Sequence, residues 1–516
     1  MGKFCTSVFS GYGGEAMRKK KLILNSVTSL LTQLMTIICG LIIPRLIISA
    51  YGSQVNGLVS SITQFLSVIS LLDLGVGAVV QTALYRPLAE KDDLQISKIV
   101  VSSDRFFRRI AKILLLYVGL LMVIYPHISN STFNGLYISS LIVIVAISSF
   151  VQYYWGVTNQ ILLNADQRIY VQTGLQCIVL VLNAILCYIL IKIGASIQLV
   201  KLASAVVFIL RPAIMQLYVK RHYNINKKIV LQDEPIKQKW NGLAQHMASY
   251  VLDNTDVVVL TLFSTLESVS VYTVYFNIVY GIRKMLMAVF NSFQSLWGNM
   301  IAKGEKELLN ESFETTEWLL HNVVTVLFGI TGALIVPFVA LYTQGVEDTK
   351  YILPIFALVI VLANAAHCIR LPYMMMIYSA GAFKETQNSA WIEAGINIAL
   401  SVILVQKYDL IGVAFGTLIA MIYRTIYLAW YLSKNIINRP IKYFCKRILL
   451  DIICTGEVIL SMKVFPISIE NITVITWIIH AVTITIIVTI CVVITNIIFD
   501  FPKVRKTFDI IKSKKQ

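Results

Sequence analysis

The chain has 516 residues, 57% of them apolar and 14% charged, with a mean hydropathy of +0.74. Soluble domains are about 45–50% apolar and about 25% charged, so a soluble globular chain, a disordered one and a fibrous one are all excluded. The net charge of +17, from 44 Lys and Arg against 27 Asp and Glu, sits mostly outside the apolar runs, where it orients a membrane protein and calls for no nucleic-acid partner.

A membrane-spanning helix needs about 20 predominantly apolar residues. Read in chain order, the sequence predicts fourteen spans, at 22–48, 55–85, 110–127, 137–163, 171–192, 198–219, 240–263, 268–300, 318–343, 351–378, 386–406, 410–434, 445–465 and 472–500. The expected fold is an all-α polytopic membrane protein. Residues 1–21 form an N-terminal tail, 22–219 a first lobe of spans one to six, and 220–239 a basic inter-lobe loop. Residues 240–434 form a second lobe of spans seven to twelve, 435–500 hold spans thirteen and fourteen, and 501–516 are a basic tail.

The tails, even-numbered loops and adjoining span ends carry 33 Lys and Arg, against 5 in the odd-numbered loops, which places both termini in the cytoplasm. Trp155, Trp240, Trp297, Trp318, Trp391 and Trp430 fall in the cytoplasmic halves or ends of their spans under the same topology, as interfacial indoles should. The eight cysteines are scattered and form no CxxC pair, so neither a disulfide framework nor a metal site is expected. No GxxxxGK[ST], HExxH or GxSxG occurs, so ATP-driven transport by this chain alone is excluded, and no catalytic residue or cofactor is expected.

An internal repeat is visible. Tyr51–Leu58 (YGSQVNGL) and Thr265–Tyr272 (TLESVSVY) each open a long span after a short outer loop, and those spans end at Pro87-Leu-Ala-Glu-Lys-Asp-Asp and Met300-Ile-Ala-Lys-Gly-Glu-Lys. The shift between the copies is six spans, so the two lobes run parallel. Such repeats point to alternating access around a cavity between lobes.

Charges inside spans are costly and are usually buried in the bundle or turned to a water-filled cavity. Arg45 follows Pro44 and either faces the cavity mouth or reaches headgroups. Asp73 precedes a Gly-rich run and is read as a pairing or counter-ion residue. On the seventh span, AQHMASYVLDNTD places His246 and Asp253 on one face and Asp256 about 60° away. These residues suit proton or sodium coupling, or a counter-ion role. Arg283 and Lys284 lie about 22 Å into the eighth span. They form either an anion site for a pyrophosphate or acidic sugar, or ion pairs with Asp253 or Asp256. Of Arg370 and Arg424, deep in the second lobe, at least one is expected to face the cavity. Arg211 and Glu457 are assigned to packing or interfacial roles. The cationic bias suits an anionic cargo and runs against an exporter of cationic drugs.

The stretches Gly40–Asp92 (GLIIPRLIISAYGSQVNGLVSSITQFLSVISLLDLGVGAVVQTALYRPLAEKD), Ile161–Tyr170 (ILLNADQRIY) and Leu252–Leu260 (LDNTDVVVL) resemble bacterial polysaccharide-repeat flippases of the multidrug/oligosaccharidyl-lipid/polysaccharide exporter superfamily. The resemblance covers most of the chain to about residue 435. It implies a V-shaped pair of six-helix bundles in the bacterial cytoplasmic membrane. It also implies gradient-driven translocation of an undecaprenyl-pyrophosphate-linked oligosaccharide, with membrane lipids as further contacts and a polysaccharide polymerase and chain-length proteins as candidate partners. The family's cationic cavity maps here to Arg45, Arg283 and Lys284. Alternatives within the superfamily are a drug or metabolite antiporter and a flippase for lipid-linked peptidoglycan precursor.

Overall fold

A computed structural model describes residues 15–72, 76–129, 131–227, 229, 243–464 and 472–513. Among them are sixteen α-helices and no strand, as the composition requires. In hydrocarbon a helix satisfies every backbone N–H and C=O within its own segment. The helices are α1 (Glu15–Tyr51), α2 (Ser53–Ser67), α3 (Val76–Glu90), α4 (Asp93–Ile128), α5 (Gly135–Val151), α6 (Val157–Ala165), α7 (Ile169–Lys192) and α8 (Ile197–His222), then α9 (Leu243–Phe263), α10 (Leu266–Lys303), α11 (Lys306–Tyr342), α12 (Pro354–Ile369), α13 (Leu371–Ser379), α14 (Phe383–Asn435), α15 (Lys442–Val464) and α16 (Val474–Ser513).

They follow the fourteen expected spans. The second span holds α2, a 3₁₀ turn at Val68–Leu72 and α3. The fourth is α5 and α6, joined through a π turn at Gln152–Gly156, and the tenth is α12 and α13, which meet at Arg370. Spans eleven and twelve both lie in α14, which bends at Asp409 (φ 47°, ψ −129°). Among the described residues, ten helical segments are long and apolar enough to cross a membrane by length and composition. Large apolar side chains such as Leu116, Leu136 and Ile475 stand mostly exposed, a surface suited to lipid rather than water.

The chain divides into two compact units, Met1–Met247 and Ala248–Gln516. The expected boundary is the 220–239 loop, most of which lies outside the described residues; the division falls instead within the first turns of α9.

In the first unit α1 packs along α7, α7 on α8, and α5 on both α4 and α8. Polar contacts run the length of the α1–α7 seam. At one end the Asn25 amide donates to the Gln167 carbonyl at 2.9 Å, and Lys21 and Arg168 both reach Asp166. Midway the Thr173 hydroxyl donates to that of Thr28 at 2.7 Å, and at the far end the Tyr51 hydroxyl donates to the Ala195 carbonyl at 2.6 Å.

The second unit repeats the last contact. Ser264 and Ser268 donate to the Asp409 carboxylate, joining the α9–α10 connection to the bend in α14. The sequence repeat, with a single-position slip, pairs Tyr51 with Ser264 and Ala195 with Asp409, so the two contacts correspond. Beyond the bend, Gly412 and Gly416 let the twelfth span close on the eleventh. A Cβ at Gly412 would stand 2.3 Å from the Leu404 carbonyl oxygen, and one at Gly416 would stand 2.8 Å from the Ser401 nitrogen. The last two spans pack on α11 through Leu334, Val458, Ile484 and Val488. Their polar ends are tied by the Arg447–Asp500 pair and by Arg439, which grips Glu317 with two hydrogen bonds.

Candidate functional site

The polar face foreseen on the seventh span is the start of a buried cluster in the second unit. α9 supplies Asp253 and Asp256, α10 Tyr272 and Arg283, α12 Asn364, and the two halves of α14 Asn397 and Thr417. Most of them line a cavity of about 10 Å³, close to the space one water molecule needs.

Asp256 is 4% exposed. Its Oδ2 accepts from the Tyr272 hydroxyl at 2.7 Å and the Thr417 hydroxyl at 2.8 Å, and its Oδ1 faces the Asn397 amide at 3.4 Å. All three partners are neutral. The Asn397 amide also donates to the Thr417 hydroxyl at 2.9 Å, which fixes its oxygen as an acceptor. That oxygen and the one on Asn364 are buried with no hydrogen-bond partner among the described residues. The close Gly412–Gly416 packing of spans eleven and twelve is what brings Asn397 and Thr417 to one carboxylate. A buried carboxylate among hydroxyls, with amide oxygens left over, is a donor set for a small hard cation or a proton. No cluster of three His, Cys, Asp or Glu exists among the described residues, so a polydentate transition-metal site is not indicated.

Arg283 is 1% exposed. Its Nη2 donates to Asp253 Oδ1 at 2.6 Å, so of the two partners the sequence left open, Asp253 holds it. Its Nε and Nη1 are buried without hydrogen-bond partners, and its guanidinium lies 4.7 Å from the Tyr280 ring centroid. Lys284 is half-buried, with its ammonium 4.9 Å from the same ring. Of the two neighbours, Arg283 alone is fixed by a carboxylate among the described residues.

Of the remaining expected site residues, Arg370 and Arg424 do not line the pocket. Arg370 and Arg424, read as cavity cations, converge on Glu393. Arg370 pairs with it directly, and Arg424 Nε stands 3.8 Å away while donating to Ser389 and the Thr386 carbonyl. Arg370 Nη2 also meets His367 Nδ1 at 2.8 Å. Both guanidiniums are thus turned into the bundle by a carboxylate on span eleven. Arg45 lies in α1 of the first unit, half-buried. Asp73 lies outside the described residues, as does the side chain of His246. Glu457 accepts from the Thr495 hydroxyl at 3.2 Å, within the α15–α16 packing.

Sequence reasoning named Asp253, Asp256 and Arg283 but missed Tyr272, Asn364, Asn397 and Thr417. The signal for them is present in the chain: an Asn or Thr deep in an apolar span needs a partner as a charge does, and a search confined to charges passes over it.

No family model matches the sequence, and no curated protein matches it. Solved structures do. The chain is similar to the lipid II flippase MurJ in an inward closed conformation, with TM-score 0.68 and 18% identity over 92% of this chain and 98% of that one. It is similar to an inward-facing multidrug resistance MATE family transporter of the MOP superfamily, with TM-score 0.60 and 14% identity over 78% and 94%. It is also similar to the Vibrio cholerae MATE transporter VcmN in its bent form, with TM-score 0.56 and 13% identity over 81% and 97%. At these identities the matches show the fold.

Proposed function

We propose that the chain is a flippase that moves an undecaprenyl-pyrophosphate-linked oligosaccharide repeat across the bacterial cytoplasmic membrane for polysaccharide assembly, driven by a monovalent cation gradient. The observation that carries this reading is the Asp256 pocket. A carboxylate buried inside spans with neutral partners and orphaned acceptor oxygens is costly to keep empty, and a coupling ion relieves it. Sodium or a proton fills that role. Support for a lipid-linked cargo comes from the sequence resemblance and from the flippase structure, whose likeness extends over more of this chain than that of the MATE transporters. That neighbour also favours a second reading in the same chemical class, a flippase for lipid-linked peptidoglycan precursor.

Arg283, Arg370 and Arg424 are committed to carboxylates, which alters the expected cationic cavity. In the second unit Lys284 is the intraspan charge left for an anionic head, and in the first unit Arg45 keeps its assignment. Arg283 instead serves the cation pocket. With two unpartnered donors on the cavity that Asp256 lines, its guanidinium is the charge that replaces the coupling ion after release.

Proteoliposomes holding the purified chain test the reading. An imposed sodium or proton gradient should drive translocation of the undecaprenyl-linked oligosaccharide, and not of a cationic dye. Translocation of lipid-linked peptidoglycan precursor alone would select the second reading, and dye export alone would sink both.

A further inference from the structure

The two units share a repeat, and the repeat relates two arginines. Arg424 of α14 corresponds to Arg211 of α8 under the same shift that relates Ser264 to Tyr51. Their surroundings differ in one decisive position. Glu393 neutralises Arg424, whereas under the one-residue longer shift that relates Asp409 to Ala195 in these spans the first-unit counterpart of Glu393 is Val179, which is buried. The first unit has kept the cation and lacks the carboxylate.

Arg211 lies 14 residues from the start of α8 and 11 from its end, about 21 and 16 Å along the axis, so it sits near mid-span. It is half-buried. Its Nη2 donates to Gln160 Oε1 at 3.3 Å, its Nε is buried with no hydrogen-bond partner, and no carboxylate pairs with it among the described residues. A guanidinium at that depth with a neutral partner is expensive unless an anion or water reaches it.

What surrounds it is amide-rich. The Gln152 amide donates to the same Gln160 oxygen at 3.2 Å. Gln152 opens the π turn Gln152–Gly156, and a Cβ at Gly156 would stand 2.6 Å from its side-chain oxygen, so the glycine gives that amide its room. Single π turns inside helices often mark functional sites. Trp155, in the same turn, is exposed.

We propose that Arg211, with Gln152 and Gln160, forms an anion subsite in the first unit for the pyrophosphate of a polyprenyl-linked saccharide, with the amides on the adjoining sugar hydroxyls. The guanidinium supplies the charge-assisted contact, and the side-chain amides both donate and accept as sugar hydroxyls demand. The proposal rests on the flippase reading and places part of its cargo on a residue that reading does not use.

Binding of undecaprenyl pyrophosphate to the purified full chain in mixed micelles, followed by tryptophan fluorescence and by competition with inorganic pyrophosphate, tests it. Arg211→Gln should weaken binding roughly ten- to a hundredfold, and Arg211→Lys should recover part of it, because charge returns without the planar fork. Val179→Glu, which copies the second unit's neutralising carboxylate, should weaken binding as Arg211→Gln does, while Val179→Gln should not. Wild-type affinity in Arg211→Gln, or equal displacement by phosphatidylglycerol, would overturn the subsite. Transport by the wild type with Arg211-independent binding sinks the subsite and spares the flippase reading. Arg211-dependent pyrophosphate binding without transport does the opposite.

Discussion

The two units place the same notch between corresponding spans and fill it differently. In the second unit Asn397 and Thr417 face Asp256, with Ser401 one turn along from Asn397. At the repeat-related positions the first unit has Asn183, Cys187 and Ser204, and Ile43 where the aspartate stands. That trio is closed on itself, with the Cys187 thiol 3.6 Å from the Asn183 side-chain oxygen and 3.3 Å from the Ser204 hydroxyl. The repeat therefore supplies a polar seam between neighbouring spans, and in the second unit a single carboxylate is added to it, which is the proposed ion pocket. The arginines run the other way: the second unit neutralises Arg424 and the first leaves Arg211 with an amide. On the reading proposed above, the second unit handles the coupling cation and the first presents charge to cargo.

The largest test of that contrast is Glu393→Ala. It strands two buried guanidiniums and should cost about 3–5 kcal/mol, read as thermal unfolding of the purified chain. Removing the neutral partner of Arg211 by Gln160→Ala should cost only about 1 kcal/mol; equal losses would erase the difference between the units. Next, Asp256→Asn should lower gradient-driven transport roughly ten- to a hundredfold at unchanged protein level. Cys187→Ser, at the matching seam, should leave transport intact, and a loss there would show that both seams carry ions.

Gly416→Ala should cost about 1–3 kcal/mol by forcing span twelve off Ser401, with sodium binding weakened as Thr417 moves. Ala203→Gly, at its counterpart in the first unit, should stay within about 1 kcal/mol. The finest test sets the two partners of one ion pair against each other. Arg283→Gln removes the competing charge and should tighten sodium binding about tenfold, whereas Asp253→Asn releases Arg283 toward Asp256 and should weaken it by a similar factor. Shifts in the same direction would reduce the pair to a structural tie.

Much of the fold was legible because hydrophobic length is a local property. The apolar runs became helical, and even the sequence repeat returned as a spatial one in Tyr51–Ala195 and Ser264–Asp409. The interruptions were not legible. The 55–85 run reads as one long span, yet it divides into α2, a 3₁₀ turn and α3. Asp409 takes a positive φ that no apolar pattern announces. For the site, the seventh span's wet face was readable from AQHMASYVLDNTD, but its partners were not. Asn397 and Thr417 are 141 and 161 residues from Asp256.

By itself, the sequence determined that this chain lives in a membrane as a polytopic all-helical protein, and which few charges are trapped inside. Both follow from the cost of leaving apolar surface in water and polar groups in lipid, and that cost is set residue by residue. Only the tertiary structure decided which charge meets which. Arg370 and Arg424 look from the sequence like cavity cations, and Arg211 looks like packing, because a guanidinium has the same composition wherever it points. Whether it is spent on Glu393 or left beside Gln160 depends on the carboxylate a neighbouring span brings within about 4 Å, and no single helix contains that information.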